Sequence, residues 1–252
     1  MARNKFTVDG VTYIDLSTTG IESAADIPAG KYGYLRTGER VLGTGENMSS
    51  NPLSGKILAA NGDSICHGTG NNDVGYPELI GTANGMTVQN IAVGGATIAT
   101  GTAASHYIST SISDMRSDAD YILLEGGVND PDFGVSLGSL TSDYTSTLNT
   151  ATFAGGFETM LKNALARFPG KKIGYIFVHK CGNFSENHYN IAKQACEKWG
   201  IPYCDLNTQA PPLGYVDALR TAYTNSGDGF HPNAAGYEAY YVPKITAWMK
   251  AL

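Results

Sequence analysis

From Lys56 onward, short apolar segments alternate along the chain with segments of helical periodicity. Each apolar segment is brief and continuous, as expected for a strand that is covered on both faces. The strands predicted in this way span residues 56–61, 88–92, 121–125, 172–179 and 201–205. Strands that alternate with helices form a parallel sheet with helices packed on both of its faces. The alternation therefore predicts an α/β fold.

Three helices are predicted from the spacing of apolar side chains. The clearest spans residues 153–168 and ends at Pro169-Gly170. Its predicted buried face consists of Phe153, Phe157, Met160, Leu161, Ala164, Leu165 and Phe168. The second helix spans residues 187–199, and the third spans residues 233–252. Pro243 should kink or restart the third helix, because proline lacks the N–H that a continuous helix needs.

Glycines and polar residues follow several of the predicted strands. The carboxyl ends of parallel strands share one edge of the sheet, which is where ligands and catalytic groups gather. A turn at Asn61-Gly62-Asp63 ends the first strand and leads to a hydroxyl side chain. The residues found beyond the strands are, in chain order, Ser64, Gly94, Gly95, Asn129, Asp228 and His231. We expect them to converge at this edge.

These residue types suit acyl transfer. His231 can accept the proton of Ser64, and Asp228 can bind the other ring nitrogen and fix its tautomer. The oxyanion of the tetrahedral intermediate needs hydrogen-bond donors, for which the backbone N–H groups of Ser64 and Gly95 and the Asn129 amide are candidates. Each motif alone also fits a structural role: Gly94-Gly95 a loop, residues 127–130 a turn, and Asp228-x-x-His231 a helix cap with an exposed histidine. Their joint occurrence in this order favours catalysis.

The set of motifs resembles a known family. Gly62-Asp63-Ser64, Gly95, Gly127-x-Asn129-Asp130 and Asp228-x-x-His231-Pro232 are similar, in order, to the four blocks of the SGNH hydrolases, also called the GDSL esterase/lipase family. The resemblance covers the chain from Lys56 to the C-terminus. Between Gly94 and Gly95, the spacing from the neighbouring residues favours Gly95 as the block glycine.

The resemblance implies a flavodoxin-like three-layer α/β/α sandwich. It implies that Ser64 is the nucleophile, His231 the base and Asp228 its partner. The oxyanion hole would consist of the Ser64 N–H, the Gly95 N–H and the Asn129 side chain. We expect Asp63 and Asp130 to be structural and to accept hydrogen bonds from loop N–H groups.

Other reactive side chains are weaker candidates. His67 is close to Ser64 in sequence and is predicted to line the mouth of the site, whereas His106, His179 and His188 are not predicted to be catalytic. The cysteines form no Cys-x-x-Cys pair and are predicted to be buried free thiols. No His, Cys or carboxylate cluster has metal-ligand spacing, and no nucleotide-binding glycine motif occurs, so no metal and no cofactor is predicted.

Charge and hydropathy exclude several classes of partner. The net charge is −6 and no basic run occurs, which argues against nucleic acid. No apolar segment approaches the ~20 residues needed to span a bilayer, so no membrane partner is predicted. The first residues lack the apolar core of a signal peptide, which predicts a cytoplasmic or virion-associated location.

Residues 1–50 are predicted to form a β-hairpin-rich appendage and linker, separate from a hydrolase domain at residues 51–252. Asp9-Gly10 suits a two-residue hairpin turn, a second β-rich segment is expected at residues 31–41, and residues 43–55 are typical of a linker. So short an appendage must pack on the main domain or on copies of itself. It is a candidate for homo-oligomer formation, and it resembles the leaders of phage tail-associated proteins.

The predicted substrate is an acylated carbohydrate or another small ester. The loops at residues 131–149 and 207–227 are rich in small polar residues and contain no amphipathic segment that would cover a lipid. Aromatic rings that would offer flat faces to a sugar are Phe133, Tyr144, Tyr215 and Tyr223. The alternative is that these loops are merely solvated and their rings merely pack.

The leading hypothesis is a serine esterase that removes acetyl or similar short acyl groups from a carbohydrate. A lipid esterase or a thioesterase is the alternative within enzymes. A non-catalytic adhesion or structural module is the alternative outside them, and the presence of every polar group that catalysis needs argues against it.

Overall fold

The computed structural model describes residues 5–8, 11–15, 23–27, 31–42, 51–182 and 184–252. Contacts divide the chain into two units, Met1–Pro52 and Leu53–Leu252. The predicted division, between residues 50 and 51, differs from this boundary by two residues.

The first unit contains two antiparallel strand pairs. Strand β1, Lys5–Val8, pairs with β2, Val11–Asp15, which confirms the predicted hairpin. Strand β3, Tyr32–Tyr34, pairs with β4, Arg40–Leu42, after a 3-10 helix at Ala24–Asp26. The Asp9-Gly10 turn and residues 43–50 of the predicted linker lie outside the described residues. The assembly role of this unit stays a prediction.

The second unit is built on a five-stranded parallel sheet. Its strands are β5 (Ile57–Asn61), β6 (Thr87–Asn90), β7 (Tyr121–Leu124), β8 (Lys172–Phe177) and β9 (Tyr203–Asp205). The order is β6-β5-β7-β8-β9, and all neighbours run parallel, which confirms the predicted α/β fold. The chain moves from β5 to β6 on one side and then to β7 on the other. Ligands bind at such a switch point, and Ser64 follows β5 directly.

Strand β6 differs from the prediction. It lies at the sheet edge and is only partly buried, whereas the sequence predicted a strand covered on both faces and extending to Ala92. The Asn90 side chain accepts the N–H of Ala92, and the residues beyond Asn90 are not part of the strand. A local side-chain hydrogen bond of this kind competes with strand pairing and is hard to read from apolar content.

The helices of this unit include the first two predicted ones, at residues 153–168 and 187–199, and each observed helix begins and ends within one residue of the predicted bounds. The helices are α1 (Ser64–His67), α2 (Tyr76–Asn84), α3 (Phe153–Arg167), α4 (Glu186–Trp199), α5 (Leu206–Gln209), α6 (Asp217–Tyr223), α7 (Ala234–Gly236) and α8 (Val242–Ala251). Short 3-10 helices occupy Thr69–Asn71, Ser111–Asp114 and Asn225–Gly227. None of the helices in the described part of the chain is long and apolar enough to cross a membrane.

The C-terminal helix is interrupted shortly before Pro243, the residue at which the sequence predicted a kink or a restart. A π-helical turn at Tyr237–Tyr241 separates α7 from α8, and Pro243 lies in the first turn of α8. Proline is tolerated there because the first N–H groups of a helix have no intrahelical partner.

Two apolar cores cover the two faces of the sheet. Helices α3 and α4 pack on the face that carries Ala59, and helices α2 and α8 pack on the face that carries Leu58. This arrangement confirms the three-layer sandwich. Leu165 was predicted on the buried face of α3, but it is 38% exposed, so that assignment was wrong. The helices cover the faces of the sheet, and the segments that follow the strands lie at its carboxyl edge.

Candidate active site

Ser64, His231 and Asp228 form a continuous hydrogen-bonded chain. The Ser64 Oγ lies 2.9 Å from Nε2 of His231, across 167 residues of sequence. The other ring nitrogen, Nδ1, lies 2.7 Å from Oδ2 of Asp228. In this arrangement the ring can accept the hydroxyl proton while the carboxylate holds the opposite N–H. The structure thus brings together the three residues that the sequence predicted to converge.

The loop that carries Asp228 and His231 is fixed by its own carboxylate. Asp228 Oδ1 accepts the backbone N–H groups of Phe230 at 2.8 Å and His231 at 3.0 Å. Thr224 Oγ1 accepts the Gly229 N–H at 3.0 Å. Burial alone would raise the pKa of Asp228, but the backbone N–H groups and the imidazole together hold that pKa below its ordinary value. Asp228 is therefore an anion at neutral pH.

Ser64 is the first residue of α1, and the N–H groups around it are already bonded. Asp63 caps the helix by accepting the Ile65 N–H through Oδ1 at 3.0 Å. Glu125 Oε2 accepts the N–H of Asp63 at 3.1 Å and that of Cys66 at 3.2 Å. The Ser64 N–H takes part in no hydrogen bond found among the described residues. The first N–H groups of a helix lack intrahelical partners, so this one is available to a ligand.

Glu125 is a site residue that the sequence reasoning missed. It was treated only as the end of a strand, yet its side chain is fully buried beneath the Ser64 turn. Its carboxyl also explains Gly62, because a Cβ at residue 62 would lie 2.5 Å from Glu125 Oε2 and 2.6 Å from Cys66 Cβ. The available signal was a glutamate within an otherwise apolar strand, since glutamate is almost never fully buried unless it is paired.

Of the other predicted oxyanion donors, Asn129 lies beside the nucleophile, and Gly95 follows a glycine that approaches it. The Asn129 amide donates to the Ala96 carbonyl at 2.9 Å, and Asn129 shares a cavity of about 260 Å³ with Ser64 and His231. Gly95 has φ 78°, which favours glycine. A methyl group on Gly94 would lie 3.9 Å from Ser64 Cβ. Neither glycine N–H is bonded among the described residues, and the choice of Gly95 stays a prediction.

Four further side chains complete the lining of this cavity, and the sequence reasoning assigned a site role to none of them. They are Ile65, Val128, Asp132 and Phe230. Phe230 lies directly before His231, and Val128 directly before Asn129, so both were within reach of the recognised motifs. Their role as walls of the cavity depends on how the two loops fold against each other.

None of the predicted substrate contacts lines the cavity beside Ser64. His67 pairs with Asp73, with 3.3 Å between Nδ1 and Oδ1. The Tyr223 ring packs edge-on against Tyr240 at 5.0 Å, and Phe133 is exposed. Tyr215 is 67% exposed and lines a separate, larger cavity of about 550 Å³.

Tyr144 packs onto the protein surface. Its ring meets Trp199 edge-on at 5.2 Å, and its hydroxyl donates to the Lys198 carbonyl at 2.9 Å. The sequence left open whether such rings face solvent or pack, and for Tyr144 the packing alternative applies.

The other acidic and thiol groups discussed for the site, Asp130 and the cysteines, are buried. Asp130 accepts the backbone N–H groups of Ile98 and Ala99, each at 2.9 Å, and burial raises the pKa of Asp130 to about 7. All four cysteines are buried and free, as predicted. Burial also raises the pKa of Cys66 well above its ordinary value, which makes this thiol a poor nucleophile. Within the described residues, no cluster of three or more His, Cys, Asp or Glu side chains is arranged to hold a metal ion.

The sequence profile of the GDSL-like lipase/acylhydrolase family matches residues 60–239. The chain belongs to this family. No curated protein matches the sequence. The family and the solved structures that resemble this chain indicate an enzyme that hydrolyses esters.

Three solved structures illustrate the similarity of the GDSL chain to known folds. A protein from Lactobacillus plantarum has a TM-score of 0.68 and 22% identity, covering 79% of this chain and 98% of its own. Phospholipase A1 from Streptomyces albidoflavus NA297 has a TM-score of 0.56 and 16% identity, with coverage of 77% and 99%. A family two carbohydrate esterase from Clostridium thermocellum, solved with cellohexaose, has a TM-score of 0.54 and 12% identity, with coverage of 84% and 69%.

Replacing Asn129 tests the role of its amide. We expect Asn129→Ala to lower kcat for p-nitrophenyl acetate by about 10²–10³-fold, as the loss of one oxyanion donor does. Asn163→Ala is the matched control, because the Asn163 amide also donates to a carbonyl, that of Ser109 at 3.0 Å, away from the cavity. The control should keep the wild-type kcat. Equal kcat in both variants would show that Asn129 only supports the loop.

Proposed function

We propose that this GDSL-family enzyme is a serine esterase that removes acetyl or similar short acyl groups from a carbohydrate. The observation that carries the proposal is the contact of 2.9 Å between Ser64 Oγ and His231 Nε2, together with the Asp228 carboxylate on the other ring nitrogen. A serine hydroxyl becomes a useful nucleophile when a base accepts its proton and a third group orients that base.

The proposed reaction has two halves. In the first, Ser64 Oγ attacks the ester carbonyl while its proton passes to His231, and the imidazolium is stabilised by Asp228. The tetrahedral intermediate then collapses, the leaving alcohol takes the proton from His231, and the acyl group stays on Ser64. In the second half, water gives its proton to His231 and attacks the acyl-serine. The second tetrahedral intermediate collapses, Ser64 Oγ leaves with the proton from His231, and the acid is released.

The negative charge of each tetrahedral intermediate falls on the former carbonyl oxygen. We assign its stabilisation to the Ser64 N–H, the Gly95 N–H and the Asn129 amide. In support, the Ser64 N–H is unbonded among the described residues, and the Asn129 side chain is held in place through the Ala96 carbonyl. Preorganised donors are effective here because they need no reorientation as the charge develops.

The size of the cavity beside Ser64 supports a short acyl group. Its volume is about 260 Å³, and its walls include Ile65, Val128 and Phe230. This volume lies below the ≈300–1,000 Å³ typical of pockets for drug-sized ligands.

The neighbouring cavity supports a carbohydrate leaving group. It measures about 550 Å³, and its lining combines Tyr215 and Tyr189 with Lys180, Glu186 and Asn207. The Phe230 ring connects the two cavities: it lines the first, and a Cβ at Gly182, in the second, would lie 2.3 Å from this ring. Aromatic faces among charged and amide groups suit a ligand with apolar ring faces and many hydroxyls.

A lipid esterase is the second candidate, and the similarity in fold to phospholipase A1 favours it. A long acyl chain would need an extended apolar channel, whereas the lining of the larger cavity includes Lys180, Glu186 and Asn207 among its aromatic residues. Burying such groups against an acyl chain without hydrogen-bond partners is unfavourable. The lining therefore favours the carbohydrate ester.

Removal of the Ser64 hydroxyl tests the esterase itself. We expect Ser64→Ala to lower kcat for p-nitrophenyl acetate by at least about 10⁴-fold, as for other serine nucleophiles, with an unchanged melting temperature. Cys66→Ala is the control, because that thiol lies two residues away and is fully buried. It should keep the wild-type kcat. Turnover by Ser64→Ala at the wild-type rate would remove Ser64 from the mechanism.

Replacing Tyr215 tests the substrate class. We expect Tyr215→Ala to raise KM for acetylated xylan or another acetylated glycan by about 3- to 10-fold through the loss of a ring contact, and to leave p-nitrophenyl acetate hydrolysis unchanged. Tyr144→Ala is the control, since Tyr144 is also an exposed tyrosine but packs on Trp199. A higher kcat/KM for long-chain than for acetyl esters, with no effect of Tyr215→Ala on glycan esters, would favour the lipid esterase instead.

A further inference from the structure

Two carboxyl groups lie buried together beneath the nucleophile. Asp63 and Glu125 are both fully buried, and no cation is paired with either among the described residues. Asp63 Oδ1 accepts the Ile65 N–H, and Glu125 Oε2 accepts the N–H groups of Asp63 and Cys66. The second oxygen of each group, Asp63 Oδ2 and Glu125 Oε1, is buried and receives no donor from the rest of the described protein.

One proton shared between the carboxyl groups of Asp63 and Glu125 would account for this arrangement. Two ionised carboxylates in contact would repel each other and would leave two buried acceptors without partners. Burial, together with the neighbouring carboxyl, raises the pKa of Glu125 well above its ordinary value. Burial raises the pKa of Asp63 only to about 6. At neutral pH the proton therefore belongs to Glu125. Glu125 then accepts both N–H groups through its carbonyl oxygen and donates its O–H to Asp63.

We propose that Glu125 is a positioning residue that, as a neutral carboxylic acid hydrogen-bonded to Asp63, holds the Ser64 turn in its reactive geometry. It binds the N–H groups on both sides of Ser64, which leaves the Ser64 N–H free for the oxyanion. The shared proton also limits the buried pair to one negative charge. A second negative charge beneath the nucleophile would oppose the oxyanion that forms there.

The remaining charge on Asp63 has a favourable counterpart. The positive charge of protonated His231 acts on Asp63 and lowers its pKa, opposing the larger effect of burial. By reciprocity, ionised Asp63 stabilises the imidazolium that forms when Ser64 gives up its proton. Because His231 is cationic in the transition state, one negative charge on the pair assists the reaction.

Glutamine at residue 125 is the decisive substitution. In Glu125→Gln the amide oxygen can accept the same two N–H groups, and the amide N–H can donate to Asp63 Oδ2, so this variant imitates the neutral acid. We expect kcat, KM and melting temperature for p-nitrophenyl acetate hydrolysis near the wild-type values. A folded Glu125→Gln enzyme with kcat lowered by about 10²-fold would mean that Glu125 acts as an anion and would overturn the proposal.

Two further variants separate positioning from plain structural support. Glu125→Leu keeps the size but removes both acceptors, and Glu125→Asp shortens the side chain so that it cannot reach both N–H groups. We expect kcat to fall by about 10- to 100-fold with little change in KM, because the nucleophile is misplaced while the substrate cavity remains. If Glu125→Leu does not fold, Glu125→Asp decides the question. Wild-type kcat in Glu125→Asp with only a lowered melting temperature would overturn the positioning role.

Infrared spectroscopy observes the proton directly. The wild-type enzyme at neutral pH should show the carbonyl-stretch band of a protonated carboxylic acid that is missing from the spectrum of Glu125→Gln. Asp130, whose pKa burial raises to about 7, contributes equally to both spectra and cancels in their difference. A difference spectrum that instead shows the loss of a carboxylate band would overturn the assignment of the proton to Glu125. These tests are independent of the substrate, since they use only the acetyl ester and the protein itself.

Discussion

The reactive turn of this enzyme depends on hydrogen bonds between buried carboxyl groups and backbone N–H groups. Glu125, which directly follows β7, binds the N–H groups of Asp63 and Cys66, while Asp63 caps α1 through Ile65. The turn after β5 is thereby tied to the neighbouring strand of the sheet. Gly62 is required for the same reason, because a side chain there would occupy the position of the Glu125 carboxyl. The sheet is rigid, and the hydrogen bonds of the Glu125 carboxyl fix the Ser64 turn to it.

The second half of the site is a loop whose conformation is fixed by one of its own side chains. Asp228 binds two N–H groups of its own loop and the His231 ring, so one carboxylate both shapes the loop and orients the base. The loop lies far from Ser64 in sequence, between the 3-10 helix Asn225–Gly227 and α7, and it meets Ser64 beyond the carboxyl end of β5. The cavity between the two halves is small, and the larger cavity beyond Phe230 is the proposed binding site of the leaving group.

Much of the fold and of the site could be predicted from the sequence, since alternation, turn residues and motif order are local signals. The parallel sheet and the longest helices follow from such signals, as does the placement of Ser64 and His231. The sequence could not predict which side chains line the cavity, because Phe230, Val128 and Ile65 become its walls only when separate loops meet. Glu125 was missed since a strand-end glutamate is ordinarily solvated, and Leu165 was misplaced because helical periodicity leaves the edge of a buried face undecided.

In the proposed reaction, the acyl group is carried on the side-chain oxygen of Ser64 between the two halves. The most direct measurement is intact-protein and peptide mass spectrometry after rapid quenching of the enzyme with p-nitrophenyl acetate. We expect one acetyl group per chain, located on the peptide that contains Ser64 and absent when His231 is replaced. An acetyl group found on Cys66 or His67, or full turnover with no acylated residue at any quench time, would contradict it.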